Sequence, residues 1–414
     1  MPPRVAADQS DFVFQPILKN TLDKSLRVLV AHNVYQQRGG EDSVVDAEVS
    51  LLRARGHDVE LYLRHNDELA QTGQFAAAVQ TMWSGRTVAD LARRIAAFKP
   101  DVVHAHNTFP LISPSLYAAA ARAGVPVVQT LHNFRLLCPQ AMFLRNGHVC
   151  EDCLGKFPWR GVLHRCYHRS ATKTAVLASM IGVHRAIGTY RSKVSRYIAL
   201  TEFSRSKFIA GGLAGEQISV KPNFVDVPVP ENERQRSGAL FVGRLSPEKG
   251  TRVLARAAAT RGHSVIDVIG TGPEQLSLEA SPGIRLLGWQ VPDAIYSRMR
   301  EAAYLVAPSI CYENFPRTIV EAFACGLPVI ASRLGAMAEI VRDRETGLLF
   351  EAGNADDLAR KMAWAEENPV AMRGMGVAAR REYEGKYTPE TNYKQLMLIY
   401  SDAIAVARPR ERKL

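Results

Sequence analysis

The sequence predicts an α/β chain built from two doubly wound, Rossmann-like units, and three observations lead there. Short apolar strands alternate with helical patterns, the rhythm of a parallel sheet wrapped by helices on both faces. That rhythm stops at a Pro-rich, charged stretch over 222–237 and then restarts. The 414 residues, 47% of them hydrophobic, are enough for two cores and too many for one ordinary domain.

The first unit opens with the β-branched run 26–31 (LRVLVA), which ends in a polar loop carrying Gly39-Gly40. Over 41–55, Val44, Val45, Val49, Leu51 and Leu52 recur at helical spacing, and Gly56 ends the pattern. Strands follow at 59–63, 101–105 and 125–130, separated by helices at 88–98 and 113–123 that stop at Pro100 and Gly124. A Cys- and His-rich insertion at 136–169 breaks the alternation, which resumes with a helix at 174–188, a strand at 197–200, a helix after Thr201 and a strand at 218–221. Beyond the linker, strands are predicted at 239–242, 264–269, 284–287, 304–307 and 328–331, with a helix at 251–260 and helical patterns through most of 355–407. Residues 1–222 would form the first domain and 223–388 the second, with a last helix (389–407) packing back onto the first. Two such units place ligands in the cleft at the carboxyl ends of their strands.

Residues 1–20 contain Arg4, Asp8 and Asp11 and no continuous apolar block, so they read as a poorly ordered lead-in and not as a signal peptide. No apolar run reaches the ~18 residues that a spanning helix needs. A cytoplasmic protein, free or peripheral on the inner face of the membrane, is the expectation. Charge is uneven: eleven Lys and Arg lie between Gly155 and Lys207 against one acid, Glu202. Such a segment implies an anionic partner, either a bilayer surface or the phosphates of a substrate beside a solvated face. Nucleic acid is not expected, because no nucleic-acid-binding motif accompanies the charge.

The chemistry concentrates in the second unit. The strand YLVAPS runs into Cys311-Tyr312-Glu313-Asn314-Phe315-Pro316 and then a helix holding Glu321, so two acids stand eight positions apart at a helix start. Free N–H groups and a partial positive charge there suit phosphates, and carboxylates accept from vicinal hydroxyls. Upstream, Gly243-Arg244-Leu245-Ser246-Pro247-Glu248-Lys249-Gly250 puts two cations five apart in a loop that opens a helix. Two cations at a loop tip can stabilise a diphosphate leaving group without a metal. Gly270-Thr271-Gly272-Pro273 marks a tight turn after the next strand. No D-x-D pair stands beside these loops; Asp356-Asp357 falls on a later helix.

Two further clusters are ambiguous. In Val103-His104-Ala105-His106-Asn107, alternation places both histidines on one face of a strand end. There His106 is either an acceptor-side group or a satisfied polar strand end. Cys138, Cys150, Cys153 and Cys166 share the insertion, and Cys150-Glu-Asp-Cys153 is a knuckle-like CxxC. Structural zinc, free thiols and a redox pair at Cys150 and Cys153 all remain open, with permanent disulfides disfavoured in a reducing compartment.

The motifs GRLSPEKG, VIGTGP and ENFPRTIVEAFACGLPVIAS resemble the nucleotide-sugar domain of family 4 retaining glycosyltransferases, which have the GT-B fold. Gly39-Gly40, DVVHAHN, TLHN and PNFVD extend the resemblance over nearly the whole chain, and LLCPQAMFLRNGHVCEDC is similar to a Cys-containing subgroup of these enzymes. The resemblance implies that Arg244 and Lys249 hold the diphosphate, Glu321 the ribose hydroxyls and Glu313 the hydroxyls of the transferred sugar. Gly270 and the main chain of Asn314, Phe315 and Pro316 would line the sugar pocket. Gly39 and Gly40 would allow close approach of the first-domain loop, and His132 would face the sugar. It further implies a UDP- or GDP-hexose, a saccharide or lipid-linked saccharide acceptor in surface-polysaccharide assembly, front-face substitution with retention, and no cofactor for catalysis. One departure is Gly335-Ala336, where many members have Gly-Gly before the later Glu. Two rivals are a nucleotide-sugar epimerase of the same fold, which would isomerise the sugar nucleotide alone, and a non-catalytic binding module, which would tolerate loss of Glu313.

Overall fold

The computed structural model describes residues 24–36, 39–228, 235–261 and 265–407, apart from the side chains of 70 and 71. The expected lead-in at 1–20, the middle of the linker and the start of the strand at 264–269 lie outside the described residues. In chain order the strands are β1 (Arg27–Val34), β2 (Asp58–His65), β3 (Val102–Ala105), β4 (Val127–Thr130), a hairpin of β5 (Leu144–Arg145) and β6 (His148–Val149), β7 (Arg196–Ala199) and β8 (Ile218–Val220). There follow β9 (Ala239–Val242), β10 (Ile266–Ile269), β11 (Ile284–Gly288), β12 (Tyr304–Ala307), β13 (Val329–Ser332) and β14 (Gly347–Phe350). One six-stranded sheet has the order β2-β1-β3-β4-β7-β8 and a second the order β11-β10-β9-β12-β13-β14. The registered pairs in both sheets are parallel.

Two compact units emerge among the described residues. One runs through Thr130, takes in Gly188–Tyr197 and returns from Tyr393 on; the other holds Leu131–Ile187 and Ile198–Asn392. In the first, β1 carries Val28, Leu29, Val30 and Ala31 at 1% exposure or less, so both of its faces are covered. The helix Pro389–Ala407 buries Tyr393, Leu396, Met397, Tyr400 and Ala403, a stripe at three- and four-residue spacing. Its tyrosines are anchored in this unit: Tyr393 Oη lies 2.8 Å from His57 Nε2, and Tyr400 Oη 2.7 Å from His104 Nδ1.

In the second unit, alternation along the strands feeds two cores. Leu240 and Leu305 point to one face, joining Ile319, Val320, Phe323 and Met337. Ala239, Phe241, Tyr304 and Val306 point to the other, joining Leu254, Leu358 and Met362. Two-sided burial is why these strands read as unbroken apolar runs. Residues 222–228 form no strand or helix, yet Phe224, Val225 and Val227 are buried, and Tyr383 donates a hydrogen bond from its hydroxyl to the Val225 carbonyl at 3.0 Å. No helix among the described residues is long and apolar enough to cross a membrane.

Candidate functional site

The loops at the carboxyl ends of β9, β10 and β12 are stitched together by main chain. Leu245 N donates to Thr271 O (2.9 Å), Glu274 N to Leu245 O (2.9 Å) and Ile310 N to Glu248 O (3.0 Å). Two glycines permit this closeness. Gly250 has φ +72, and a Cβ there would sit 1.8 Å from Pro308 O; Gly270 has φ +137, and a Cβ would sit 2.0 Å from Gly243 O. Any side chain at either position would push the loops apart.

This framework brings Lys249 and Glu313 into contact. Lys249 Nζ lies 2.6 Å from Glu313 Oε1, and the Ser309 hydroxyl donates to the same oxygen at 2.7 Å. Burial pushes the Glu313 carboxyl up, but the Lys249 charge and the bonds from Lys249 and Ser309 outweigh it and hold the carboxylate below its ordinary range. Burial likewise opposes the Lys249 ammonium, and attraction to Glu313 reverses that and raises its pKa. The pair is part-open: the side chains are 34% and 14% exposed. Arg244 projects from the same loop, exposed, and its guanidinium forms no hydrogen bond or ion pair among the described residues.

The helix Arg317–Ala324 follows, with Pro316 at its N-cap position. One turn in, Arg317 Nε lies 3.0 Å from Glu321 Oε1, yet burial dominates and keeps the Glu321 carboxyl above its ordinary range. Asn314 is buried and donates through Nδ2 to Leu131 O at 2.5 Å, gripping the peptide that joins Leu131 to His132. His132, half-buried just past the end of β4, is thereby tied to the loop that carries Glu313.

Four side chains that sequence reasoning did not single out support this loop. Glu151, inside the CxxC, accepts from the Tyr312 hydroxyl (2.8 Å) and from Lys207 Nζ (2.6 Å). Tyr312 is the neighbour of Glu313, and its ring packs edge-on against Phe203 and Phe143. Glu339 accepts from the amides of Glu202 (2.9 Å) and Phe203 (2.6 Å), the first turn of the helix Glu202–Ala210. A carboxylate there complements the helix dipole. The unusual Ala336 is fully buried within the helix Gly335–Ile340, which positions Glu339.

In the other unit, Gly39 and Gly40 begin the helix Gly40–Ala54. Gly39 N donates to Asp42 Oδ2 (2.7 Å), and Asp42 Oδ1 lies 2.8 Å from His32 Nε2. A Cβ at Gly40 would meet nothing within 4 Å, and one at Gly39 only Asp42 Oδ2 at 3.8 Å, so the protein's own packing does not demand glycine at either place. His106 is 3% exposed, its ring 4.2 Å from that of His104 and its Nε2 3.4 Å from Glu48 Oε1. Burial, then the His104 charge, pushes the His106 pKa down to about 3 against the pull of Glu48. Glu48, His104 and His106 offer ligand atoms within 4.8 Å of one another. However, both His104 nitrogens are engaged, Nδ1 with Tyr400 Oη (2.7 Å) and Nε2 with Thr130 Oγ1 (2.8 Å). His104 is therefore committed to hydrogen bonds within the protein.

Residues 38–228 match the model of Glycosyltransferase Family 4, and residues 236–368 that of Glycosyl transferases group 1. The chain is 32% identical over 257 residues to a phosphatidyl-myo-inositol mannosyltransferase of Mycobacterium leprae, covering 58% of this chain and 67% of that one. It is 24% identical to a D-inositol 3-phosphate glycosyltransferase of Rhodococcus jostii over 84% and 81% of the two chains. The matches span 67%, 52% and 65% of the first three curated relatives. In fold it is similar to sucrose-phosphate synthase of Thermosynechococcus elongatus (TM-score 0.68, 17% identity, 92% and 100% covered). It is also similar to Anabaena HepE crystallised with UDP and glucose (TM-score 0.63, 19% identity, 91% and 99% covered). With two parallel α/β sheets and both family signatures in sequence order, the chain belongs to the family 4 glycosyltransferases of the GT-B fold.

Proposed function

We propose that this glycosyltransferase moves a hexosyl group from a UDP- or GDP-sugar to a saccharide or lipid-linked saccharide, with retention and without a catalytic metal. The observation that carries this reading is the part-open Lys249–Glu313 pair beside the uncommitted Arg244, on three loops held together by main-chain bonds. Arg244 and Lys249 would neutralise the departing diphosphate. Glu313, kept ionised, would accept from hydroxyls of the transferred sugar; Glu321, in a site that penalises its charge, would gain from donors such as ribose hydroxyls. Gly270 and the main chain at Asn314, Phe315 and Pro316 would line the sugar pocket, with His132 at its reacting face. The open space above Gly39 and Gly40 suits close approach of a ligand to backbone. His106, being buried, would act on the acceptor side by supporting the strand end. Departing phosphate would take the acceptor proton in a front-face substitution, so no first-domain nucleophile is needed.

A peripheral membrane role belongs to the same reading. Phe157, Trp159, Leu163, Val183 and Ile187 are exposed within or next to the basic segment. Apolar side chains ringed by cations suit an anionic interface. Retention by anionic vesicles at low salt, weakened by Trp159→Ala, is the expected result; no retention would remove the membrane role. The reaction itself is tested by incubating UDP- and GDP-hexoses with saccharide acceptors and reading the product's anomeric configuration by NMR. An inverted linkage would refute retention, and isomerisation of a sugar nucleotide alone would favour an epimerase.

A further inference from the structure

The insertion between β4 and β7 folds around its four cysteines. Cys138, Cys150, Cys153 and Cys166 all line one cavity of about 20 Å³, together with Arg145, Arg160 and His164. That is the space for about one water-sized body. All four thiols are free, and Cys138 and Cys153 are each 8% exposed. They come from three separate local folds. Cys150 follows the β5–β6 hairpin, whose turn places Asn146 and Gly147 at positive φ, and Cys153 closes the CxxC turn. Cys138 lies in the tight turn before the hairpin, closed by the bond from Ala141 N to Cys138 O at 2.8 Å. Cys166 lies beyond the short helix Trp159–Leu163, and its amide donates to Gly161 O at 3.0 Å.

We propose that these four cysteines form a structural zinc site. Besides the four cysteines, the cavity lining includes Arg145, Arg160 and His164. The surrounding charge fits a bound ion. Four thiolates around one divalent zinc leave two negative charges, and Arg145 and Arg160 stand at the wall to meet them, with Asp152 3.2 Å and 3.9 Å from them. Gly161 packs against the site: its amide donates to Pro158 O at 3.2 Å, and a Cβ at that position would lie 3.7 Å from Cys153 Sγ. No three of the four sulfurs lie within 4.8 Å of one another, so binding would have to draw them inward to bonds of ~2.3 Å and release their protons. Closing the knuckle on an ion would fix Glu151, which lies between two of the ligands and holds Lys207 and Tyr312.

The test is the metal content of the full chain, purified without chelator from zinc-supplemented cells. Elemental analysis should find roughly one zinc per chain, released by a mercurial reagent that titrates the thiols. Cys150→Ser with Cys153→Ser should lose it, whereas Cys311→Ser and Cys325→Ser, in the other part of the same unit, should keep it. Cobalt reconstitution of the unaltered chain gives a second readout that does not depend on how the double variant folds: a tetrahedral tetrathiolate spectrum with sulfur-to-metal charge transfer. Protein that stays metal-free after reconstitution, a cobalt spectrum without thiolate ligation, or a Cys150–Cys153 disulfide in freshly isolated protein would each overturn the proposal.

Discussion

Two clusters of ionisable side chains, one in each unit, differ in what they leave unfinished. Around Glu48, every group is at most 3% exposed, and His104 is held at both nitrogens by hydroxyls from Thr130 and Tyr400. Around Glu313, the lysine is 34% exposed and Arg244 stands open beside it. The first cluster is enclosed by the protein, with Glu48 3.1 Å and 3.4 Å from the two imidazoles, and so stabilises a strand end. The second holds one charge balance within the protein and leaves the exposed Arg244 guanidinium without a partner among the described residues. Burial and completeness, more than residue type, separate a structural polar cluster from a binding one.

The largest effect that would break this contrast comes from Lys249→Ala. It should lower kcat/KM by ~10²–10³ while changing stability by no more than about 1 kcal/mol, since a part-exposed pair contributes little to folding. Steady-state kinetics and denaturant melts check both halves; a large stability loss with normal turnover would place Lys249 among the structural groups. Glu48→Ala should do the reverse. It leaves buried imidazoles short of an acceptor, costing about 1–3 kcal/mol in denaturant unfolding, with much less effect on turnover per folded molecule.

Acid sharpens the comparison further. Between its ordinary value of 6.5 and about 3, His106 is neutral when folded and protonated when unfolded. The unfolded chain then binds the extra proton, so stability falls as pH drops below about 6.5, by roughly 1.4 kcal/mol per unit from this group. His106→Gln should flatten that stretch of a stability-versus-pH curve; an unchanged slope would show that the histidine does not stay neutral in the fold. The Lys249–Glu313 pair shares that sign on the acid side, in a lower pH window, and adds a loss at high pH. Its depressed carboxyl retains the ion pair above the ordinary value of 4.5 and loses it as pH falls through a lower folded value. Its raised ammonium retains it below 10.5 and loses it only above a higher folded value. The smallest expected effect is that of Arg317→Ala. Without the guanidinium, Glu321 is pushed further up, and UDP or GDP affinity should fall by about tenfold or less, measured by calorimetry.

Much of the second unit was legible in the sequence, because β9 and β12 are short apolar strands whose chemistry lies in the adjoining loop. Arg244, Lys249, Glu313 and Glu321 each sit within a few residues of a strand or helix boundary, where periodicity stops and polar residues stand out. Glu151, Lys207, Tyr312 and Glu339 were not found. Their partners lie far along the chain, 161 residues apart for Tyr312 with Glu151 and 137 for Glu202 with Glu339, and no periodicity encodes such a meeting. The one available signal was position: Tyr312 precedes Glu313, and Glu151 lies inside the CxxC. The strand β14 (Gly347–Phe350) has no counterpart among the expected strands. The helix Gln74–Met82 was missed because its apolar positions stay largely exposed, Phe75 at 84% and Val79 at 49%.

Calorimetric titration of UDP and GDP, without added divalent ion, is the most direct measurement of whether the β9, β10 and β12 loops grip a nucleotide diphosphate. One of the two should bind the unaltered chain, with affinity lost on Arg244→Ala and on Lys249→Ala. Binding of neither nucleotide, or equal binding by both variants, would contradict the assignment of those cations to the diphosphate.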